Sequence, residues 1–372
     1  MAGTFPSSLV PAFAKRRYEG PNVILIRFGG GVRRTETIDP QNTYAPFLRH
    51  VLANRGILVP NVTISQLNGV DTSHAEGTLN ILTGRYLAYQ DAGSKFLTDR
   101  LEPTQPTLFE YLRSEFDIPY HQALLVNGED RPQEEFFTYG VHPHYGIAHR
   151  SELLSLHRFK LFKFANILKE GTASDAEILE AKTQYEKLLA VDNRDFAPRQ
   201  SAKLEEFWSN WRTHYGDSGF KNPRGDRLLT ALALRAISEL KPRLLMINYQ
   251  DPDYVHWGNA SHYSRAIAII DEGISQIVKA TDSDPYYRGR TVFVITPDCG
   301  RDANPLLNIE FQHHFNTRSA HETWAVFVGP GIESGKILDK PFDQSSIAKT
   351  VGAIMDFHAR EAEGPAISEI FT

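Results

Sequence analysis

The chain has 372 residues, 41% hydrophobic and 23% charged, which is the composition of an ordinary globular protein large enough to bury a sizeable core. Its formal net charge of −5 provides no global basic surface, so nucleic acid and anionic lipid are not expected as its main partners. The single cysteine, Cys299, excludes an intramolecular disulfide framework.

No apolar run approaches the roughly 18 residues that cross a bilayer, and residues 1–20 lack the apolar region of a signal peptide. The sequence as given therefore predicts a cytoplasmic protein without a membrane span. A periplasmic location is the alternative if a leader has been removed.

From about residue 20 onward, predicted buried strands alternate with predicted amphipathic helices. The strand segments are almost continuously apolar, as expected for strands covered on both faces of a parallel sheet. They are residues 22–28, 123–126, 244–249, 291–296 and 324–328. The segments with helical spacing are residues 44–54, 107–115, 227–240, 262–280 and 345–357. This order predicts an α/β fold with a mostly parallel central sheet and helices on both faces.

Residues 151–215 differ from the rest of the chain. They are charged, show no strand signal, and predict two or three helices, at 152–169, 175–189 and 201–214. We interpret this stretch, the cap region, as a helical insertion within a single domain that spans residues 20–372.

The first predicted strand stops in three glycines, residues 29–31. A Walker phosphate loop needs a Gly-Lys-Ser/Thr end and a dinucleotide loop needs G-x-G-x-x-G, and neither pattern is present. Arg34 stands where the third glycine of the dinucleotide pattern should be. A tight strand exit that requires glycine dihedrals is the simpler interpretation.

Polar side chains follow the ends of two later strands, where the ligand sites of open α/β sheets gather. The residues concerned are Asp251, Asp253, His256, Asp298 and Cys299. Each one alone is weak evidence, because a histidine after a strand usually caps a turn and a lone cysteine is usually a small buried hydrophobe. Carboxylate, imidazole and thiolate that converge from separate strand ends are typical ligands of zinc or manganese.

The order of the segments resembles the alkaline phosphatase superfamily, which includes sulfatases, nucleotide pyrophosphatases and cofactor-independent phosphoglycerate mutases. Residues 22–26 are similar to its opening strand, and residues 74–85, which end in Leu-Thr-Gly-Arg, to its nucleophile helix. The other similar segments are 248–258, 296–300 (Thr-Pro-Asp-Cys-Gly against Ser-Asp-His-Gly) and 319–321. The resemblance covers most of 22–357 apart from the cap region.

The resemblance implies two metal sites. The first carries over to Asp253 or Asp251, His256 and His321. The second, which in the family uses an aspartate, a Ser or Thr nucleophile and an Asp-His pair, carries over to Gly29, His74, Asp298 and Cys299. Gly29 therefore stands in place of a metal-binding aspartate, and His74 in place of the nucleophile.

Two hypotheses of function follow. In the first, His74 is a ligand and forms a three-ligand zinc site with Asp298 and Cys299, and zinc activates water for attack on a phosphate or sulfate ester. In the second, the loss of the aspartate and the nucleophile leaves one metal or none, and the chain is a non-catalytic homologue that binds a ligand or a protein partner. The cofactor predicted by the first is one or two zinc or manganese ions.

Other polar residues are candidates for contact with a small anionic substrate or ligand. Arg33, Arg34 and Arg85 are the candidates for binding the anion in bidentate fashion. Thr72, Ser73 and Thr78 are alternative nucleophiles if the register of their loop is shifted. Of the adjacent pair His313 and His314, at most one is expected to approach the site, because neighbours in a strand or helix point to different faces.

Overall fold

In the computed structural model the described residues are 15–91, 101–128, 132–191, 201–303, 311–315 and 317–372. The strands are β1 (Asn22–Arg27), β2 (Ile57–Thr63), β3 (Tyr89–Asp91), β4 (Leu101–Pro103), β5 (Ala123–Val126), β6 (Glu152–Leu154), β7 (Leu244–Asn248), β8 (Thr291–Thr296), β9 (Glu322–Val328), β10 (Lys336–Ile337) and β11 (Phe342–Asp343). The helices are α1 (Arg34–Thr37), α2 (His74–Thr83), α3 (Leu108–Glu115), α4 (Leu156–Glu170), α5 (Asp175–Leu189), α6 (Ala202–Tyr215), α7 (Asp226–Glu239), α8 (Ala260–Ser283) and α9 (Ser346–Met355).

The central sheet has the strand order β10-β2-β9-β8-β1-β7-β5-β6, and β11 also pairs with β2. The run from β8 through β1, β7 and β5 to β6 is parallel. In contrast, β9 runs antiparallel to both of its neighbours, β8 and β2. The prediction of a mostly parallel sheet is confirmed.

Helices cover both faces of this sheet. In β1, Ile24 and Ile26 belong to one apolar cluster and Val23 and Leu25 to the other, as the alternation of side chains along a strand requires. The first cluster is completed by α7, α8 and, from the cap region, α4 and α6, whereas α2, α3 and α9 complete the second. The predicted α/β fold class is therefore confirmed.

Four strands of the central sheet, β2, β6, β10 and β11, were not expected from the sequence. Of these, β10 and β11 are pairings of two residues each with β2. Strand β2 was not predicted because it contains Pro60, which lacks the backbone N–H that a strand interior needs. In the structure, the pairing of β2 with β9 shifts register between Val59 and Val62, on either side of this proline. The edge strand β6 lies inside the cap region, where no strand was predicted, because its three residues are too few to show a period.

The predicted helix at 44–54 is a π-helix, Phe47–Leu52, followed by a 3₁₀ turn, Ala53–Arg55. In the cap region, helix formation begins at Leu156 rather than at 152. Among the described helices, none combines the length and the hydropathy that a membrane crossing requires.

Candidate metal centre

The candidate site lies beyond the ends of three adjacent strands, β1, β7 and β8. Arg27, the last residue of β1, pairs in register with Asn248 of β7 and with Thr296 of β8, so the three strands end at the same level. The chain continues from them into the glycine loop (residues 29–31), a 3₁₀ turn (Asp251–Tyr254) and the segment after β8. Side chains from these three segments therefore share one edge of the sheet.

His74, the first residue of α2, stands between two carboxylates. Ser73 caps the helix by accepting a hydrogen bond from a backbone N–H of its first turn. Gly77 lets α2 approach the segment after β8, because a Cβ there would lie 2.2 Å from the carbonyl oxygen of Asp298. As a result, His74 Nδ1 lies 3.0 Å from Asp298 Oδ2, and His74 Nε2 lies 2.5 Å from Asp253 Oδ1.

These two carboxylates set the charge of His74. Burial alone lowers the pKa of the imidazole, but Asp253 and Asp298 outweigh that effect and raise the pKa well above its ordinary value. Each ring nitrogen faces a carboxylate oxygen, so both carry a proton in the metal-free protein. In this imidazolium state His74 can donate a proton, and it must lose one before it can bind a metal ion.

Imidazoles converge on a single oxygen atom, Asp253 Oδ1. Nε2 of His256 lies 2.9 Å from this oxygen and Nε2 of His313 lies 3.4 Å from it, in addition to Nε2 of His74. The donor atoms of His74, Asp253 and His313 all lie within 4.8 Å of one another, as do those of His256, His313 and His314. Imidazole nitrogen and carboxylate oxygen are metal ligands in proteins, so these groups could hold a metal ion.

His313 is the late histidine that approaches Asp253. Its Nδ1 lies 2.9 Å from the carbonyl oxygen of Thr72, to which it can donate a proton while Nε2 faces Asp253. Burial and the nearby charge of His74 lower the pKa of His313 to about 3, which leaves its imidazole neutral and able to act as a ligand.

The other late histidines depart from the expectation. His321, expected from the family resemblance, is buried just before β9 and belongs to none of the donor groups found in the described part of the chain. His313 and His314 both belong to the group with His256, although at most one was expected near the site. The described segment 311–315 has no helix or strand, so the alternation of faces does not apply to it.

The two candidate aspartates after β7 have different surroundings. Asp251 Oδ1 accepts a hydrogen bond of 3.1 Å from the backbone N–H of Asp226, the first residue of α7. Of the pair Asp251 and Asp253, only Asp253 belongs to a donor group among the described residues.

A further donor group contains His74, Asp298 and Cys299. Burial alone would raise the pKa of Asp298, but the charges of His74 and Arg27 and a hydrogen bond from His74 lower it to about 2, so Asp298 is a carboxylate. Cys299 Sγ lies 3.7 Å from His74 Nδ1, and burial together with Asp298 raises the pKa of its thiol to about 11. In the metal-free protein Cys299 is therefore a neutral thiol.

Gly29 has no room for a side chain. A Cβ at this position would lie 2.1 Å from the carbonyl oxygen of Tyr249 and 2.9 Å from Nε of Arg27. The carboxylate that the family resemblance places here is thus excluded by the packing, and the nearest charged group is the guanidinium of Arg27. One sequence signal points to Arg27: it is the charged residue within the apolar run Asn-Val-Ile-Leu-Ile-Arg-Phe.

Arg301, which sequence reasoning also missed, holds the loops of the site together. Its buried guanidinium donates hydrogen bonds to the carbonyl oxygens of the glycine loop, of the turn that carries Asp253, and of Phe311 near His313. The acceptors are Gly30, Gly31, Pro252, Val255 and Phe311. One side chain therefore fixes the relative positions of three segments that supply or border the donor groups.

The remaining predicted residues have other partners. Arg33 pairs with Glu36, Arg34 donates to the backbone of Val62 and Thr323, and Arg85 pairs with Glu363. The buried Thr78 hydroxyl donates to the carbonyl oxygen of His74 and accepts from Arg27, and Ser73 caps α2.

No protein-family model matches the sequence, and no curated protein matches it. Solved structures do match. An alkaline phosphatase superfamily protein from Vibrio parahaemolyticus has a TM-score of 0.56 and 12% identity, and the match covers 99% of this chain and 75% of that one. A 2-O GAG sulfatase matches with a TM-score of 0.54 and 12% identity, covering 94% and 74% of the two chains. A phosphonate monoester hydrolase from Silicibacter pomeroyi matches with a TM-score of 0.51 and 12% identity, covering 94% and 75%. The chain therefore has the fold of the alkaline phosphatase and sulfatase superfamily.

Proposed function

We propose that this protein is a hydrolase of phosphate or sulfate esters that works with one zinc ion held by Asp253, His256 and His313. The observation that carries the proposal is the convergence of imidazole Nε2 atoms on Asp253 Oδ1, with His313 shared by the donor group of Asp253 and that of His256. Neutral imidazoles with one carboxylate suit zinc better than manganese, which prefers oxygen ligands. Bound there, zinc would supply a Lewis acid that polarises an ester oxygen.

His74 is the residue proposed to move a proton. Its Nδ1–H donates to Asp298, which fixes the orientation of the ring and leaves Nε2 as the atom that faces the metal ligands. An imidazole oriented by a carboxylate in this way is a general acid or base. We assign to Nε2 the exchange of a proton with the reacting water or the leaving oxygen.

Exposed aromatic rings support an organic ester as the substrate. Tyr254, Trp257 and Phe315 follow directly after Asp253, His256 and His314 in the sequence, and they are 58%, 81% and 50% exposed. Rings of this kind give apolar contact area at low entropic cost. The related folds support the choice of ester, because the proteins that share this fold include a sulfatase and a phosphonate monoester hydrolase.

The alternative is a non-catalytic homologue, favoured by the absence of a carboxylate at position 29 and of a hydroxyl at position 74. A hydrolase with the proposed site would turn over a small anionic ester, whereas the homologue would only bind a ligand or partner. The two differ in whether zinc produces turnover.

The test is zinc-dependent hydrolysis of aryl phosphates and aryl sulfates by the full chain, stripped with a chelator and reloaded. We expect turnover that Asp253→Asn abolishes together with zinc binding. In His74→Ala the zinc is expected to stay bound while turnover falls by about 100-fold or more, as for loss of an acid–base group. His262→Ala, an exposed histidine in α8, is the control that changes neither. If the zinc-loaded protein hydrolyses none of the esters, the hypothesis of a non-catalytic homologue replaces that of a hydrolase.

A further inference from the structure

We infer that the guanidinium of Arg27 takes the place of a second metal ion beside Asp298, so that the chain binds one metal ion rather than two. The inference deepens the proposed function and rests on its metal centre at Asp253, but it does not depend on catalysis.

Arg27 is a fully buried cation next to the group formed by His74, Asp298 and Cys299. Its Nη1 donates hydrogen bonds of 2.8 Å to Glu134 and 2.6 Å to the hydroxyl of Thr78, and its Nε lies 3.7 Å from Asp298 Oδ2. Glu134 and Thr78 thus fix the guanidinium beside Asp298. A dication bound by the same carboxylate would meet the repulsion of this cation, reduced by its ion pair with Glu134, in a region from which water is excluded.

Protein donors also occupy the carboxylate of Asp298. Its Oδ1 accepts from the backbone N–H of Cys299 at 2.8 Å and from that of Gly31 at 3.4 Å. Its Oδ2 faces His74 Nδ1 at 3.0 Å. A metal ion would have to displace these hydrogen bonds as well as the proton on His74.

The other two positions of a second site, 29 and 299, are also unsuited to a metal ion. A carboxylate cannot enter at position 29, where even a Cβ would lie 2.1 Å from the carbonyl oxygen of Tyr249. Cys299 packs with Ile64 and Val70 in a small apolar cluster, which is the setting of a structural thiol. The residues present therefore fit one metal ion at Asp253 and a hydrogen-bonded His74–Asp298 pair beside it.

The experiment is a titration of the full, chelator-stripped chain with cobalt(II), followed by visible absorption and by metal content per chain. Thiolate ligation to cobalt gives an intense charge-transfer band that imidazole and carboxylate do not give. We expect one equivalent without that band in the wild type and in Cys299→Ala, and no tightly bound cobalt in Asp253→Asn. Two equivalents with a thiolate band that Cys299→Ala removes would overturn the inference.

The role of the guanidinium charge is tested with Arg27→Met and Arg27→Lys. We expect folded Arg27→Met to bind a second cobalt ion with the thiolate band, and Arg27→Lys, which keeps the cation, to bind one. A folded Arg27→Met that binds one ion refutes the role of the charge. If Arg27→Met does not fold, the wild-type titration decides.

The two proposals fail in different ways. If the chain binds one ion and hydrolyses no ester, the proposed function is wrong but the inference that Arg27 replaces a second ion stands. If the chain binds two ions, that inference is wrong, whether or not the protein hydrolyses an ester. A wild-type chain that binds no ion overturns the metal centre and both proposals with it.

Discussion

Gly29→Ala is expected to destabilise the protein by about 3 kcal/mol, the upper end of the cost of overpacking. The added Cβ would lie 2.1 Å from the carbonyl oxygen of Tyr249, whereas real Cβ contacts stay above 3.0 Å. That oxygen belongs to the backbone directly after β7, which pairs with β1 at the centre of the sheet. The clash can be relieved only by moving the ends of two central strands apart, because no side chain can rotate away.

The assay is urea unfolding followed by circular dichroism, together with the thermal midpoint. With an unfolding entropy of roughly 2.1 cal/mol/K per residue, about 3 kcal/mol corresponds to a midpoint roughly 4 °C lower for a chain of 372 residues. Gly171→Ala is the matched control, since no atom lies within 4 Å of its added Cβ and only its positive φ of 61° is strained. This variant should lose about 1 kcal/mol, the cost of a Cβ in the left-handed region. A Gly29→Ala variant as stable as Gly171→Ala would refute the close packing of the glycine loop.

Three further predictions concern metal binding, pH and substrate. Zinc at 100 times its Kd should stabilise the wild type by about 2.7 kcal/mol and raise its thermal midpoint, but should leave the midpoint of Asp253→Asn unchanged. Equal midpoint shifts in the two proteins would show that Asp253 is not a ligand. Burial raises the pKa of Glu110 to about 7, although backbone hydrogen bonds act in the opposite direction. Folding therefore favours the protonated carboxyl, and the stability that this protonation contributes is lost as the pH rises through 7. Between pH 4 and 8 the free energy of unfolding of the wild type should therefore fall by about 3 kcal/mol relative to that of Glu110→Gln. The two proteins would show the same pH dependence if the Glu110 carboxyl had its ordinary pKa. Trp257→Ala should raise the KM for aryl esters and leave kcat unchanged, and a lower kcat at constant KM would exclude a role of Trp257 in substrate binding.

The fold could be predicted because its signals are local. The buried strands of a parallel sheet are continuous apolar runs, and the five predicted ones are all present. The four missed strands of the central sheet lack that signal: β2 carries Pro60, β6 has three residues at an edge, and β10 and β11 have two residues each. A proline and an edge position both weaken the sequence pattern without preventing pairing.

The site could be predicted only as far as strand ends determine it. Asp253 and Asp298 lie in the segments that follow the parallel strands β7 and β8, and such strand ends meet at one edge of the sheet. The proposed choice of His313 over His321 depends on the described segment 311–315, which has no helix or strand and therefore no periodicity in its sequence. The role of Arg27 depends on a 3.7 Å distance to Asp298, which is 271 residues away in the chain.

The reversed strand β9 has a consequence for metal exchange. Because β9 is antiparallel to β8, the connection between them leaves and re-enters the sheet at the same edge, and it carries His313 and His314. Local opening of the described segment 311–315, which has no helix or strand, would remove two histidines from the candidate metal centre while β8 and β9 stay paired. Release of the ion is therefore expected to follow the rate of this local opening rather than that of global unfolding.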